Sequence, residues 1–356
     1  MKRKILYIDQ PIAPLGGGQI SLLLVLQNLD KAKYEPAVFF PREGEFAVKV
    51  RSLAIPCRAV PARKLHSAIK RLGPDIVHGN AATTRYTFWS ALAAKRAGIP
   101  FVWHVRVIES AGWRDRIIAG LSKKIIVISE AVKEKFDGLR NGAKVQKIYN
   151  GAATNVFRPG LEVGDLRERL RLGKDKKIIG VFSRIDPWKG HRLFLAAAKI
   201  IRERAADTIF LIVGGGRPKD KDPLLEEVGS LGLTEDVVFT GFRDDVPELM
   251  NLCDVIVNPS VEPEPFGRVI IEAMACGKAV VAFNTGGQKE IIVNNVTGVL
   301  VPEQNARALA QACLDLLENS AKAREMGARG RARVEELFSA EANIAGIERL
   351  YEELLH

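Results

Sequence analysis

The sequence predicts two doubly wound α/β domains, and three observations carry that expectation. The chain has 356 residues, 47% of them hydrophobic and 27% charged, enough for two globular cores. Short, nearly continuous apolar runs rich in β-branched and aromatic residues fit strands buried on both faces of a parallel sheet. Such runs alternate with helical patterns in both halves of the chain.

In chain order, the first half offers strands at 5–8, 37–40, 76–78, 101–103 and 125–128, with helical patterns at 19–29 and 86–97. The second half repeats the arrangement with strands at 178–182, 209–213, 237–239, 255–257, 279–282 and 299–301, and helices at 192–204 and 266–276. Phe157-Arg-Pro-Gly160 followed by a charged stretch sets a seam within 155–177. The expected domains are therefore 1–160 and 161–339. The last helix, at about 340–356, is amphipathic and free to pack back on the first domain.

Composition narrows the function classes. No apolar run reaches the ~18–20 residues of a spanning helix, and the apolar stretch before Asp9 is too short for a signal-peptide core. The cysteines Cys57, Cys253, Cys276 and Cys313 are scattered, with no CxxC pair. That argues against a zinc site or disulfide framework and for a reducing cytoplasm. The net charge of +11 is uneven: residues 1–155 carry 26 Lys+Arg and 11 Asp+Glu, the remainder 27 and 31. A basic first domain points to an anionic partner. No nucleic-acid-binding module is visible, so an anionic membrane surface or a phosphorylated acceptor is the partner expected. Two stretches, 63–71 and 113–124, form short helices with a cationic face suited to anionic lipid. A solvated helix face is the plainer alternative.

The densest chemistry lies in the second half. In Arg184-Ile-Asp-Pro-Trp-Lys189-Gly190 a strand ends, and two cations five apart precede a helix. Ligands of open α/β sheets bind beyond the carboxyl ends of the strands, and cations beside a helix N-terminus suit a diphosphate. In Glu264-Pro-Phe266-Gly267 a turn opens a helix that contains Glu272 amid apolar residues. A carboxylate there needs a partner. Sugar or ribose hydroxyls would serve, and so would a buried ion pair. Gly267 lets a ligand approach backbone amides. In the first half, Pro14-Leu-Gly16-Gly17-Gly18-Gln19 opens a helix, which by geometry is a phosphate cradle. His104 and Arg106 end a strand, and His78 and Asn80 end another. His66, His191 and His356 read as surface residues. Asp244-Asp245 reads as a helix start rather than a metal cluster.

These elements together resemble the retaining family 4 glycosyltransferases over nearly the whole chain. The most specific match is Glu264-Pro-Phe-Gly with Glu272 eight residues on, the family's Glu-x7-Glu motif; Glu262 sits at the wrong spacing. Arg184…Lys189-Gly190, Val213-Gly-Gly-Gly216 and Gly286-Gly-Gln-Lys-Glu290 also match. The resemblance implies the GT-B fold, two Rossmann-like doubly wound parallel-sheet domains facing across a cleft. It implies transfer of a hexose-type sugar from a nucleoside-diphosphate sugar to a glycan or lipid-linked acceptor. It also implies retention of configuration through same-face attack, with the leaving phosphate helping to deprotonate the acceptor.

By the same resemblance Arg184 and Lys189 bind the diphosphate, Glu264 the donor-sugar hydroxyls and Glu272 the ribose. Phe242 lines the nucleobase pocket. Gly17, Gly18, Gly214, Phe266 and Gly267 border the donor, and His104 contacts its sugar. The loop differs from the commoner family form, which has Glu where Gln19 stands. Arg106, His78 and Asn150 are expected on the acceptor side. No cofactor and no metal are expected, since Arg184, Lys189 and helix dipoles can stabilise the leaving group electrostatically. A same-fold sugar-nucleotide epimerase and a non-catalytic nucleotide-sugar-binding protein are the alternatives.

Overall fold

The computed structural model describes residues 2–10, 15–80, 84–138 and 142–356. The chain divides into two compact units. One comprises Met1–Gly151 with Ser339–His356, the other Ala152–Phe338. The chain thus leaves the first unit at Gly151, ahead of the seam that composition suggested. It returns at Ser339.

Among the described residues the first unit holds a seven-stranded parallel sheet. Its strands are β1 (Arg3–Ile8), β2 (Tyr34–Phe40), β3 (Cys57–Ala59), β4 (Ile76–Gly79), β5 (Phe101–Val105), β6 (Lys124–Val127) and β7 (Val145–Lys147). Their spatial order is β3-β2-β1-β4-β5-β6-β7. The second unit holds β8 (Lys177–Phe182), β9 (Thr208–Val213), β10 (Val237–Gly241), β11 (Val255–Asn258), β12 (Ala279–Phe283) and β13 (Val299–Val301). Their order is β10-β9-β8-β11-β12-β13. In each sheet the order reverses beside the first strand, between β1 and β4 and between β8 and β11. Such a reversal opens a crevice at the carboxyl ends of the strands.

The apolar runs became strands because both faces are covered. Ile5, Tyr7, Val38, Ile76, Val102 and Ile126 lie in one core, and Ile179, Val181, Phe210, Ile212, Val255 and Val281 in another. The three-residue strands β3 and β7 lie at the edges of the first sheet. They carry Arg58, Gln146 and Lys147 and so lack the apolar signature of the central strands.

The helix Ala340–Leu355 completes the first core with Ile344, Ile347, Leu350 and Tyr351. Gly346 lets it press against Ile148, whose Cγ2 would lie 3.0 Å from an added Cβ. Its acids tie down the same unit: Glu348 accepts from the Asp30 N–H at 2.8 Å, and Glu352 pairs with Lys33 at 3.1 Å. The second unit closes where Ala152 N–H donates to Phe338 O at 2.8 Å. There Arg331 also donates to the carbonyls of Phe157 and Ala275.

One glycine decides whether two strand-end loops of the second unit can meet. Gly190 sits at φ +73, and a Cβ there would lie 1.8 Å from Pro259 O. Gly190→Ala is expected to cost more than ~3 kcal/mol and to lower the thermal midpoint by ~6–12 °C. Differential scanning calorimetry against wild type reads this directly, and an unchanged midpoint would contradict the close approach.

Candidate functional site

In the second unit three loops converge at the reversal of strand order. The loop after β8 carries Arg184 and Lys189, the loop after β11 carries Ser260 to Gly267, and the loop after β12 carries Gly286 to Gln288. Their backbones touch at glycines. A Cβ on Gly286 would lie 2.5 Å from Glu264 O, and one on Gly287 would lie 2.8 Å from Phe266 Cα. The Gly287 N–H donates to Glu264 O at 2.8 Å.

The side chains held there form a buried polar cluster around one oxygen. Lys189 Nζ donates to Glu264 Oε1 at 2.6 Å, Asn258 Nδ2 donates to it at 3.3 Å, and the Ser260 hydroxyl donates to it as well. Glu264 is buried, and Lys189 also lies 3.9 Å above the Trp188 ring. The two residues expected to bind different parts of a donor are therefore bonded to each other. Gln288 Oε1 accepts from Asn258 at 3.1 Å. Asn258 and Ser260 have no assigned role in the sequence motif; the spacing of polar residues at the end of β11 is their sequence signal.

The remaining predicted donor residues are placed as follows. Arg184 is half exposed and 3.7 Å from Asp186. Glu272, inside the helix Arg268–Ala275, accepts from Arg268 at 2.6 Å, the ion pair that its apolar surroundings demand. Phe266 is buried against Phe338, and Gly267 precedes the helix at φ +106. Gly214, at φ +146, backs onto Ser183 O, so the β9 loop packs against the β8 loop. Phe242 is 74% exposed, an apolar ring with nothing covering it. Arg243 pairs with Asp245, which precedes the helix Val246–Leu252. His191, expected on the surface, is buried: the helix His191–Arg204 turns it inward to within 3.3 Å of the Ser183 hydroxyl. Burial first, then the Lys189 charge, pushes its imidazole down to about 4.

In the first unit the loops after β1 and β4 and the end of β5 carry a second buried network. The helix Gly17–Asn28 opens at Gly16. Gln19 laces the glycine loop, with its Oε1 accepting from Gly16 N–H at 3.1 Å and its Nε2 donating to Gln10 O. Its side chain is thus spent on the loop itself. Pro14 lies outside the described residues. Gly18 leaves room for Arg106, whose Cδ would be 3.1 Å from an added Cβ. Arg106 Nε donates to Asn80 Oδ1 at 2.7 Å, and its terminal nitrogens reach Asn150 Oδ1 and, at 3.4 Å, His104 Nδ1. Asn80 donates to Asp9 at 2.7 Å and to Gly18 O at 3.2 Å.

This arrangement corrects one reading and adds a residue. His78 was expected on the acceptor side. Both its ring nitrogens are taken inside the unit, one by the Tyr351 hydroxyl at 2.6 Å and one by His104 Nδ1 at 3.1 Å. At 1% exposure it offers no atom to a ligand. Asp9 is the addition. Burial pushes its carboxyl up to about 7, against the pull of the Gln10 N–H, Asn80 and Arg106. An acid closing the first apolar run was its signal in the sequence. His104 Nε2, by contrast, is buried and has no partner among the described residues.

Two family descriptions match the chain: Glycosyl transferases group 1 over residues 163–333 and Glycosyltransferase Family 4 over residues 15–156. The alpha-maltose-1-phosphate synthase of Mycolicibacterium smegmatis is 30% identical over 322 residues, which cover 78% of this chain and 81% of that enzyme. The chain belongs to the family 4, group 1 glycosyltransferases. A GDP-mannose-dependent alpha-(1-6)-phosphatidylinositol monomannoside mannosyltransferase of the same organism is 34% identical over 202 residues, 53% of this chain. The glycosyltransferase spans about half the length of that relative, 51%. Anabaena Alr3699/HepE in complex with UDP-glucose is similar with a TM-score of 0.87 at 26% identity, covering 98% of this chain and 99% of that one. A glycosyltransferase from Rickettsia africae aligns at 0.89 and 26%, covering 99% of each. Both sheets are accordingly those of the GT-B fold.

The glycosyltransferase has a pH signature in Asp9. A carboxyl whose folded-state pKa is raised binds its proton more tightly in the folded chain than in the unfolded one. Its contribution to stability is present at about pH 4 and is lost as pH rises through about 7. Asp9→Asn removes it. The stability of wild type relative to this variant should fall between pH 4 and 7 in urea titrations, and a flat difference would refute the burial argument.

Proposed function

We propose that this glycosyltransferase moves a hexose-type sugar from a nucleoside-diphosphate sugar to a hydroxyl acceptor, with retention and without a metal ion. The observation that carries the reading is the Lys189–Glu264 pair, its carboxylate buried and its cation partly so, at the strand-order reversal of the second unit. A partly buried cation and a buried carboxylate held by three loops suit a ligand that is anionic at one end and rich in hydroxyls at the other. Donor binding then exchanges one pairing for two: Lys189 turns to the diphosphate and Glu264 Oε1 to sugar hydroxyls. The helix Arg268–Ala275 adds its N-terminal dipole, Arg184 adds charge, and Glu272 with its Arg268 partner faces the ribose. The complexes of Anabaena HepE with UDP and with UDP-glucose support a nucleotide-sugar donor.

In the transfer the anomeric carbon to phosphate oxygen bond breaks and a bond to the acceptor oxygen forms on the same face. The acceptor proton passes to the departing diphosphate. Lys189 and Arg184 stabilise the charge that gathers there, and preorganised cations perform this task without solvent reorganisation. The resemblance assigns His104 the donor-sugar contact from the end of β5, where its ring is fully buried.

For the acceptor, a lipid-linked or cell-surface glycan precursor is the reading, met at the inner face of a cytoplasmic membrane. The first unit supports it. The helix Trp113–Leu121 exposes Trp113, Arg114, Arg116 and Ile117, and Trp89 of the helix Arg85–Arg96 is 40% exposed beside it. Tryptophan and arginine together suit an anionic lipid interface. No described helix is long and apolar enough to cross a membrane, so such contact is peripheral. The named substrates of the phosphatidylinositol mannoside enzyme and of the Rhizobium meliloti lipopolysaccharide core mannosyltransferase support amphiphilic acceptors.

A thermal-shift and hydrolysis screen over nucleotide sugars tests the donor. Stabilisation by one of them, with slow release of nucleoside diphosphate, is expected; no response from folded protein would sink the reading. With that donor, Lys189→Ala should lower kcat by ~10²–10³-fold, and near-normal turnover would remove Lys189 from the chemistry. For the membrane, Arg114→Glu with Arg116→Glu should weaken sedimentation with vesicles of phosphatidylglycerol several-fold. Equal binding would argue against this face.

A further inference from the structure

In the second unit three donors converge on one carboxylate oxygen, and they are not equally free to leave it. Glu264 Oε1 accepts from Lys189 Nζ at 2.6 Å, from Asn258 Nδ2 at 3.3 Å and from the Ser260 hydroxyl. A carboxylate has about four lone-pair positions over its two oxygens, so Oε1 is fully occupied in this state. Asn258 and Ser260 are short, buried side chains at the end of β11. Asn258 also donates to Gln288 Oε1 at 3.1 Å, and Ser260 lies 3.3 Å from Asn258 Oδ1. Lys189 reaches the same oxygen from the loop after β8 on a flexible four-carbon stem. Its side chain keeps 15% of its surface exposed. Of the three donors it is the one that can swing away without moving the backbone.

That asymmetry has a consequence for recognition. Glu264 is buried, so the pair opens only when both charged groups gain new partners. A free sugar offers neutral hydroxyls, which replace a charge-assisted bond with weaker ones. A diphosphate carries the negative charge that an ammonium group requires and draws Lys189 off the carboxylate. The lone pair so vacated belongs to an oxygen that Asn258 and Ser260 still hold in place.

We infer that the Lys189–Glu264 pair is a specificity determinant that couples the two halves of the donor. The sugar place opens when a diphosphate takes Lys189 and is closed to free sugar otherwise. Asn258 and Ser260 are the positioning residues that keep Glu264 in register once the lysine has gone. The coupling is reciprocal by linkage, so a bound hexose also tightens the diphosphate. This rests on the reading of a nucleotide-sugar donor and adds to it the dependence of one subsite on the other.

Calorimetric titration of the full chain with UDP and GDP identifies a diphosphate that binds. Saturation-transfer NMR then follows glucose and mannose with and without it. Hexose affinity is expected to rise by about ten-fold or more when the diphosphate is present. Equal or absent hexose binding in the two states would overturn the inference and leave the diphosphate site standing. Glu264→Gln keeps the shape and removes the charge, and it should abolish the difference. A difference that survives in folded Glu264→Gln would come from contact between the two ligands and would also overturn the inference. Ser260→Ala should weaken the hexose several-fold in the presence of diphosphate while the diphosphate affinity stays in place. Equal loss on both would overturn the positioning role. Failure of both nucleotides to bind folded protein would count against the donor reading itself, and the coupling would fall with it.

Discussion

A parallel sheet whose strand order reverses beside its first strand cannot cover its own carboxyl edge at that point. The loops leaving the two neighbouring strands turn to opposite faces, and the gap between them is floored by backbone ends. Both units of this chain meet that constraint, at β1/β4 and at β8/β11. Each sets a cluster of buried polar side chains there, where the loop ends leave room for them. Asp9, Asn80 and Arg106 occupy the first gap and Lys189, Ser260 and Glu264 the second. The apolar strands beneath make these groups rigid, and burial makes their partnerships obligatory.

The two gaps are solved with different electrostatics. The first holds one cation among amides, imidazoles and a carboxyl that burial brings close to neutrality. The second holds a full ion pair of opposite charges. The strong basicity of residues 1–155 is therefore not a property of the first gap. It is carried by exposed side chains such as Arg63, Lys64, Lys70, Arg114 and Arg116. Surface charge of that kind acts at long range and yields to salt, whereas the buried pair of the second unit is screened much less.

Much of this was legible from the chain alone. The central strands announce themselves because burial on both faces demands unbroken apolar runs. The Glu264 and Glu272 spacing and the Arg184 to Gly190 loop are local patterns, readable without tertiary knowledge. The short edge strands β3 and β7 are held by neighbours rather than by composition, so they left no trace. His191 looked like an exposed helix start; only the packing of its helix turns it inward. His78 stood at a strand end, as a ligand contact would, and a tyrosine 273 residues away occupies it instead. A pairing over such a distance leaves no mark in local sequence. Gln19, which departs from the commoner family residue, is explained only once its bonds to Gly16 and Gln10 are seen.

The return of the chain at Ser339 bears on how the protein is made. The second unit is one continuous stretch, Ala152–Phe338, whereas the first lacks part of its core until Ile344, Ile347, Leu350 and Tyr351 exist. On a ribosome the later-encoded unit can close first, while the earlier one waits with apolar surface uncovered. Folding in that order would run opposite to the order of synthesis.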